Sequence, residues 1–210
     1  MNWPDRARWL KLCNTAGATK PASDWYDRLT LAHAEPQRFY HNQIHLAECL
    51  AEFDQARTLA RNPVAVELAL WFHDSVYDPT AGDNEEQSAD LASQCLVELG
   101  IGQDLLEEVV DLIMATKSHE VGDTPDAALM VDVDLSILGR EPERFLEYEA
   151  QIRQEYHWVP LEIFSLKRAE ILRRFLGRNQ IYNTAWFHSK YEHQARINLQ
   201  GSVGASSQER

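Results

Sequence analysis

The segment from Asn62 to Asp74, NPVAVELALWFHD, constrains the fold more than any other stretch of the chain. Asn62 is placed to cap a helix, and Pro63 falls in the first turn, where its missing N–H is harmless. From there to Phe72 nearly every position is apolar, so the helix has no face to offer to water. A helix of that kind must be surrounded by others. His73 and Asp74 then stand at the end of a central element.

The remaining apolar residues also recur at helical spacing, and few segments resemble runs of β-branched strand residues. Ser23 or Asp24 is expected to cap a short helix ending before Pro36, and residues 37 to 60 to form the next, with Tyr40, Ile44, Ala47 and Ala51 on one stripe. Glu85, Glu86 and Asp90 suit the early turns of a helix that stops at Gly100. Residues 103 to 118 repeat the pattern, and a short helix is expected from Asp132 to Leu138. Pro142 and Pro160 open two more, and a last runs from about 184 to 197. The sequence predicts one all-α domain over residues 1–199, a bundle-like fold with helical extensions at both ends, and a flexible tail over 200–210.

With 210 residues the chain can bury a core without metal or disulfide staples, so any metal it holds is expected to serve chemistry. Its 33 acidic and 20 basic side chains give a net charge of -13, which argues against long nucleic acid or an anionic membrane as partner. A small phosphorylated molecule is compatible with that balance. Cys13, Cys49 and Cys95 lack any paired spacing and read as small buried residues in a reducing compartment. The N-terminal run has no signal-like apolar core, so a soluble cytoplasmic protein is the expectation, and a homodimer the base expectation for self-association.

Two histidines, His41 and His45, lie four apart in YHNQIH, which on one helix would place them on the same face. With His73 and Asp74 they make a set of imidazoles and a carboxylate inside apolar helices, where unpaired polar groups are costly. Such donors suit manganese, iron, nickel or zinc, with magnesium favoured as the oxygen share rises. The bland reading of each residue is a satisfied core histidine or a helix-end polar group.

The order of these residues resembles the HD superfamily of metal-dependent phosphohydrolases, whose signature is a His, a His-Asp doublet and a distant Asp. On that resemblance His45, His73, Asp74 and Asp134 in VDVDLSILG are the metal ligands. The YHNQIH segment is also similar to the YHNxxH of the superfamily's cyclic nucleotide phosphodiesterases, which makes His41 the proton donor. Asp134 lacks the preceding His of that group, and its glutamine-phenylalanine purine clamp has no match here. WFHDSVYDPTAGDNEEQSA, LIMATKSHE and DLSILG resemble small bacterial proteins described as HD-superfamily phosphohydrolases, over nearly the whole chain.

The resemblance implies hydrolysis of a phosphoric ester or anhydride, in a nucleotide-like substrate, around one tight divalent ion; a weaker second ion would draw on Asp74 and His119. Glu85 would orient water or exchange a proton, though it equally suits a helix N-terminus. Lys117 and His119 are candidate phosphate or second-metal contacts, against a solvated lysine and an ordinary helix-end histidine. Arg168 is a further candidate, with surface cover the simpler reading. The competing account is a regulatory protein that binds a nucleotide or metabolite, keeps the metal site and turns nothing over.

Overall fold

The structure is a computed structural model describing residues 4–119 and 124–208, with side chains described to residue 204. It is all-helical: ten α-helices and no strand among the described residues. The chain resolves into two compact units, Met1–Val133 and Asp134–Arg210.

The first unit holds α1 (Arg6–Thr15), α2 (Ser23–Ala32), α3 (Gln43–Ala56), α4 (Pro63–Phe72), α5 (Asn84–Leu99), α6 (Gln103–Ser118) and nearly all of α7 (Pro125–Asp134). As the sequence predicts, α4 is central: every residue from Ala65 to Phe72 is buried, and α1, α3, α5 and α6 pack around it. Asn62 caps it through Oδ1, which accepts from the Ala65 N–H at 3.3 Å. Trp9 of α1 meets Trp71 edge to face at a centroid distance of 5.2 Å, and Trp25 of α2 meets Phe72 at 6.3 Å. The one acid within α4, Glu67, is only 2% exposed. It accepts from Arg8 Nε at 2.7 Å and from the Arg57 guanidinium, the pairing that a buried carboxylate needs.

Several helix boundaries differ from the sequence expectation. α1 forms because Asp5 Oδ1 caps it, accepting from the Arg8 N–H at 2.7 Å. α2 starts at Ser23 behind Ala22, with no side-chain cap from Ser23 or Asp24. α3 starts at Gln43, not at 37, because Asn42 is extended and its Oδ1 accepts from the Ile44 N–H at 2.8 Å. Ile44 is therefore 48% exposed, and the covered face of α3 runs through His45, Leu46, Cys49, Leu50 and Phe53. α7 begins at Pro125, seven residues before the expected Asp132, and passes at Leu135 into a 3₁₀ turn that ends at Gly139.

The second unit contains that turn, α8 (Pro142–Glu155), α9 (Leu161–Leu176) and α10 (Ala185–Gln208). α10 packs on the 3₁₀ turn and on α9. Gly139 faces Tyr191 so closely that a Cβ would come within 2.8 Å of the Tyr191 carbonyl oxygen. Glu192 accepts from the Ile181 N–H at 2.9 Å, and Asn198 Nδ2 donates to the Leu138 carbonyl at 2.9 Å. α10 carries helical backbone to Gln208, through the stretch whose composition predicts a tail. Extending a formed helix needs no new nucleus, so small residues can follow. No described helix is long and apolar enough to cross a membrane.

Candidate metal centre

The centre is built where the C-terminal end of α4 meets the first turns of α3. His45 and His73, 28 residues apart, are both buried, and their Nε2 atoms lie 3.2 Å from each other. Asp74 Oδ2 lies 3.1 Å from His73 Nε2 and 3.3 Å from His45 Nε2. These three atoms form a nearly equilateral triangle.

Nδ1 of His73 lies 2.9 Å from the Leu70 carbonyl, which can only accept, so Nδ1 carries a hydrogen and Nε2 is the nitrogen turned to the triangle, bare whenever the ring is neutral. A cation bonded at about 2.0–2.2 Å to nitrogen or oxygen sets donor–donor edges of about 2.9–3.6 Å, depending on geometry. All three edges fall in that range. Burial opposes ionisation of Asp74, but the neighbouring His73 and His41, with contacts from both Nε2 atoms, hold its carboxyl well below the usual carboxylate range.

Cys49, one turn beyond His45 on α3, places Sγ 3.7 Å from both ring nitrogens of His45. One ligand atom from each of His45, Cys49, His73 and Asp134 lies within 4.8 Å of the others, a group that could hold a metal ion; Asp134 is the last residue of the unbroken helix α7. Cys49 was read from the sequence as a packing residue. Its signal was the His45–Cys49 spacing of four, the same spacing that drew attention to His41 and His45. The other two thiols are buried apart from any such group, and burial pushes Cys13 up to about 12 and Cys95 higher still.

His41 is not on the helix with His45, because Asn42 caps α3 after it. It is nonetheless beside the centre: its ring stacks on Tyr77 at 4.3 Å and lies 5.9 Å from the His45 ring. Arg38, buried beneath this turn, holds the two segments together. Its guanidinium donates to the His41 carbonyl at 3.1 Å, to the Asp74 carbonyl, and to the Ser75 carbonyl at 3.1 Å.

Glu85 is in the first turn of α5. Lys117 pairs with Glu86 and donates to the Gly82 carbonyl at 3.2 Å. His119 caps the C-terminus of α6 in the left-handed region with φ 50°, the one non-glycine residue of positive φ among the described residues. Arg168 corrects the expectation of surface cover: its side chain is 13% exposed and forked onto Glu149, with Nε at 3.1 Å, over the ring of Tyr148. A guanidinium that deep must be paired, and Glu149 pairs it.

Fold and centre together define an all-helical chain in which buried His45, Cys49 and His73 and half-buried Asp134 form a group able to hold a metal ion. No family model, curated protein or solved structure matches the chain.

Proposed function

We propose that the chain is a divalent-metal-dependent phosphohydrolase acting on a small phosphorylated, nucleotide-like molecule. The observation that carries this reading is the His45–His73–Asp74 triangle, whose edges of 3.1 to 3.3 Å match those around a bound cation. The resemblance of its residue order to the HD superfamily supplies the reaction class.

His45, His73, Asp74 and Asp134 would hold the ion, with Cys49 as an added donor. A thiol beside two imidazoles moves the preference toward zinc, iron or nickel and away from magnesium, with manganese between them. Such an ion, when bound, acidifies water and draws charge from a phosphoryl group. The Leu70 carbonyl keeps His73 in the tautomer that can bind, and Arg38 ties the backbone at Asp74 and Ser75 to that at His41. In this reading His41, whose ring stacks on Tyr77, would hand a proton to a leaving oxygen, and the family resemblance gives Glu85 the role of orienting water.

The test is metal analysis of the purified chain with phosphate and pyrophosphate release across a nucleotide panel, in manganese, nickel, magnesium, iron and zinc. The expected result is about one ion per chain and turnover that Asp74→Ala abolishes along with the ion. His41→Ala should keep the ion and lose about 100-fold in kcat. A stoichiometric ion with no turnover on any compound would instead support the regulatory binding protein.

A further inference from the structure

Arg38 lies in the loop between α2 and α3, and its side chain is only 1% exposed. Its Nε donates to Glu35 at 2.9 Å, a carboxylate whose own side chain is 43% exposed. Its two terminal nitrogens are turned to main chain: the carbonyls of His41, Asp74 and Ser75. Burying a guanidinium is costly, and a carbonyl just past a helix end is satisfied almost as well by water. What the guanidinium adds is a planar fork, able to hold acceptors from two segments at a fixed spacing. Asp74 and Ser75 are 36 and 37 residues along the chain from it.

The side chains of the triangle depend on that fork unequally. His45 stands in the first turn of α3, and His73 is fixed by the end of α4 and by the Leu70 carbonyl. Asp74 comes after the helix, in a turn. The direction of its carboxylate follows the dihedrals of that turn, and the carbonyl that Arg38 grips is bonded to the same Cα. The guanidinium also lies over the ring of Tyr77, 5.5 Å from its centroid, and His41 stacks on Tyr77.

We propose that Arg38 is the positioning residue of the metal centre: acting through main-chain carbonyls, it holds the Asp74 carboxylate against His45 and His73 and so sets how tightly the chain binds a divalent ion. This rests on the metal site proposed above and on nothing of its reaction.

Titration of the metal-free chain with cobalt(II), followed by visible absorption, tests it. Arg38→Ala should weaken binding by about 10–100-fold, the loss typical when a group that orients a ligand is removed. Millimolar guanidinium should restore part of the affinity by taking the vacated place, and ammonium, of equal charge but without the planar donors, should not. Gly100→Ala, which strains the C-terminal end of α5 against Thr19, should keep the affinity within about twofold of wild type, because lost stability alone does not move Asp74. Arg38→Lys serves where Arg38→Ala fails to fold; an ammonium can meet one carbonyl but cannot span the set, and should give an intermediate loss. Unchanged affinity in either variant overturns the proposal. So does a loss that Gly100→Ala matches, or a rescue by guanidinium no better than by ammonium. A chain that takes up no ion overturns the metal reading along with this one. Ion binding that is lost with Arg38, in a chain that hydrolyses nothing, upholds this inference and defeats only the hydrolase.

Discussion

At the scale of single residues, acid should act first through His33. Its ring is buried and donates from Nδ1 to the Leu29 carbonyl at 3.0 Å. Burial, reinforced by the charge of Arg38 and opposed by the Leu29 bond and Asp74, lowers its pKa to about 3, against an ordinary value of 6.5. Between those values the unfolded chain binds the proton that the folded chain refuses. The His33 contribution is therefore complete above pH 6.5 and is lost as pH falls toward 3, with a slope of at most about 1.4 kcal/mol per pH unit. His33→Gln should flatten the fall of Tm between pH 6 and 4, and an unchanged slope would refute the assignment. Nothing in the sequence separated His33 from His157 or His193, since burial depends on which neighbours α2 meets. His45, His73 and Asp74 were legible as a group because order and spacing in an apolar context single them out. Cys49 was not, because a lone cysteine in a helix has the same signature whether it packs or ligates.

At the scale of elements, the C-terminus of α5 gives a direct test. Gly100 ends the helix in the left-handed region at φ 73°, and a Cβ there would collide with Thr19 Oγ1. Gly100→Ala should destabilise the fold by about 1–2 kcal/mol from the backbone alone, and by more from the collision. Thr19→Ala in the same chain should recover only the second part, as read by calorimetry. This helix end was legible in the sequence, as were the starts of α4 and α8, because glycine, asparagine and proline act locally. The start of α3 was equally local but was missed: Asn42 is a preferred cap, and the apolar pattern running back through Tyr40 concealed it. Asn42→Ala should cost about 1 kcal/mol and displace His41, since the cap fixes where the turn before α3 ends.

For the molecule as a whole, the boundary between the two units left no mark in composition. It falls at Val133, within an unbroken helical run from α7 into the 3₁₀ turn, where no proline, glycine or charge cluster interrupts the sequence. The all-helical class was legible from periodicity alone, and the grouping of helices was not, because it depends on contacts distant in sequence. Within the first unit, His45 and His73 meet only when α3 and α4 are packed, so an ion on this site binds the native chain and not the unfolded one. At a hundredfold over its Kd such an ion should add about 2.7 kcal/mol, and chelation should lower Tm in wild type but not in a His45→Ala, His73→Ala chain. The trace-metal content of the medium would then govern how long each molecule survives a protease, even in a preparation that is never offered a substrate.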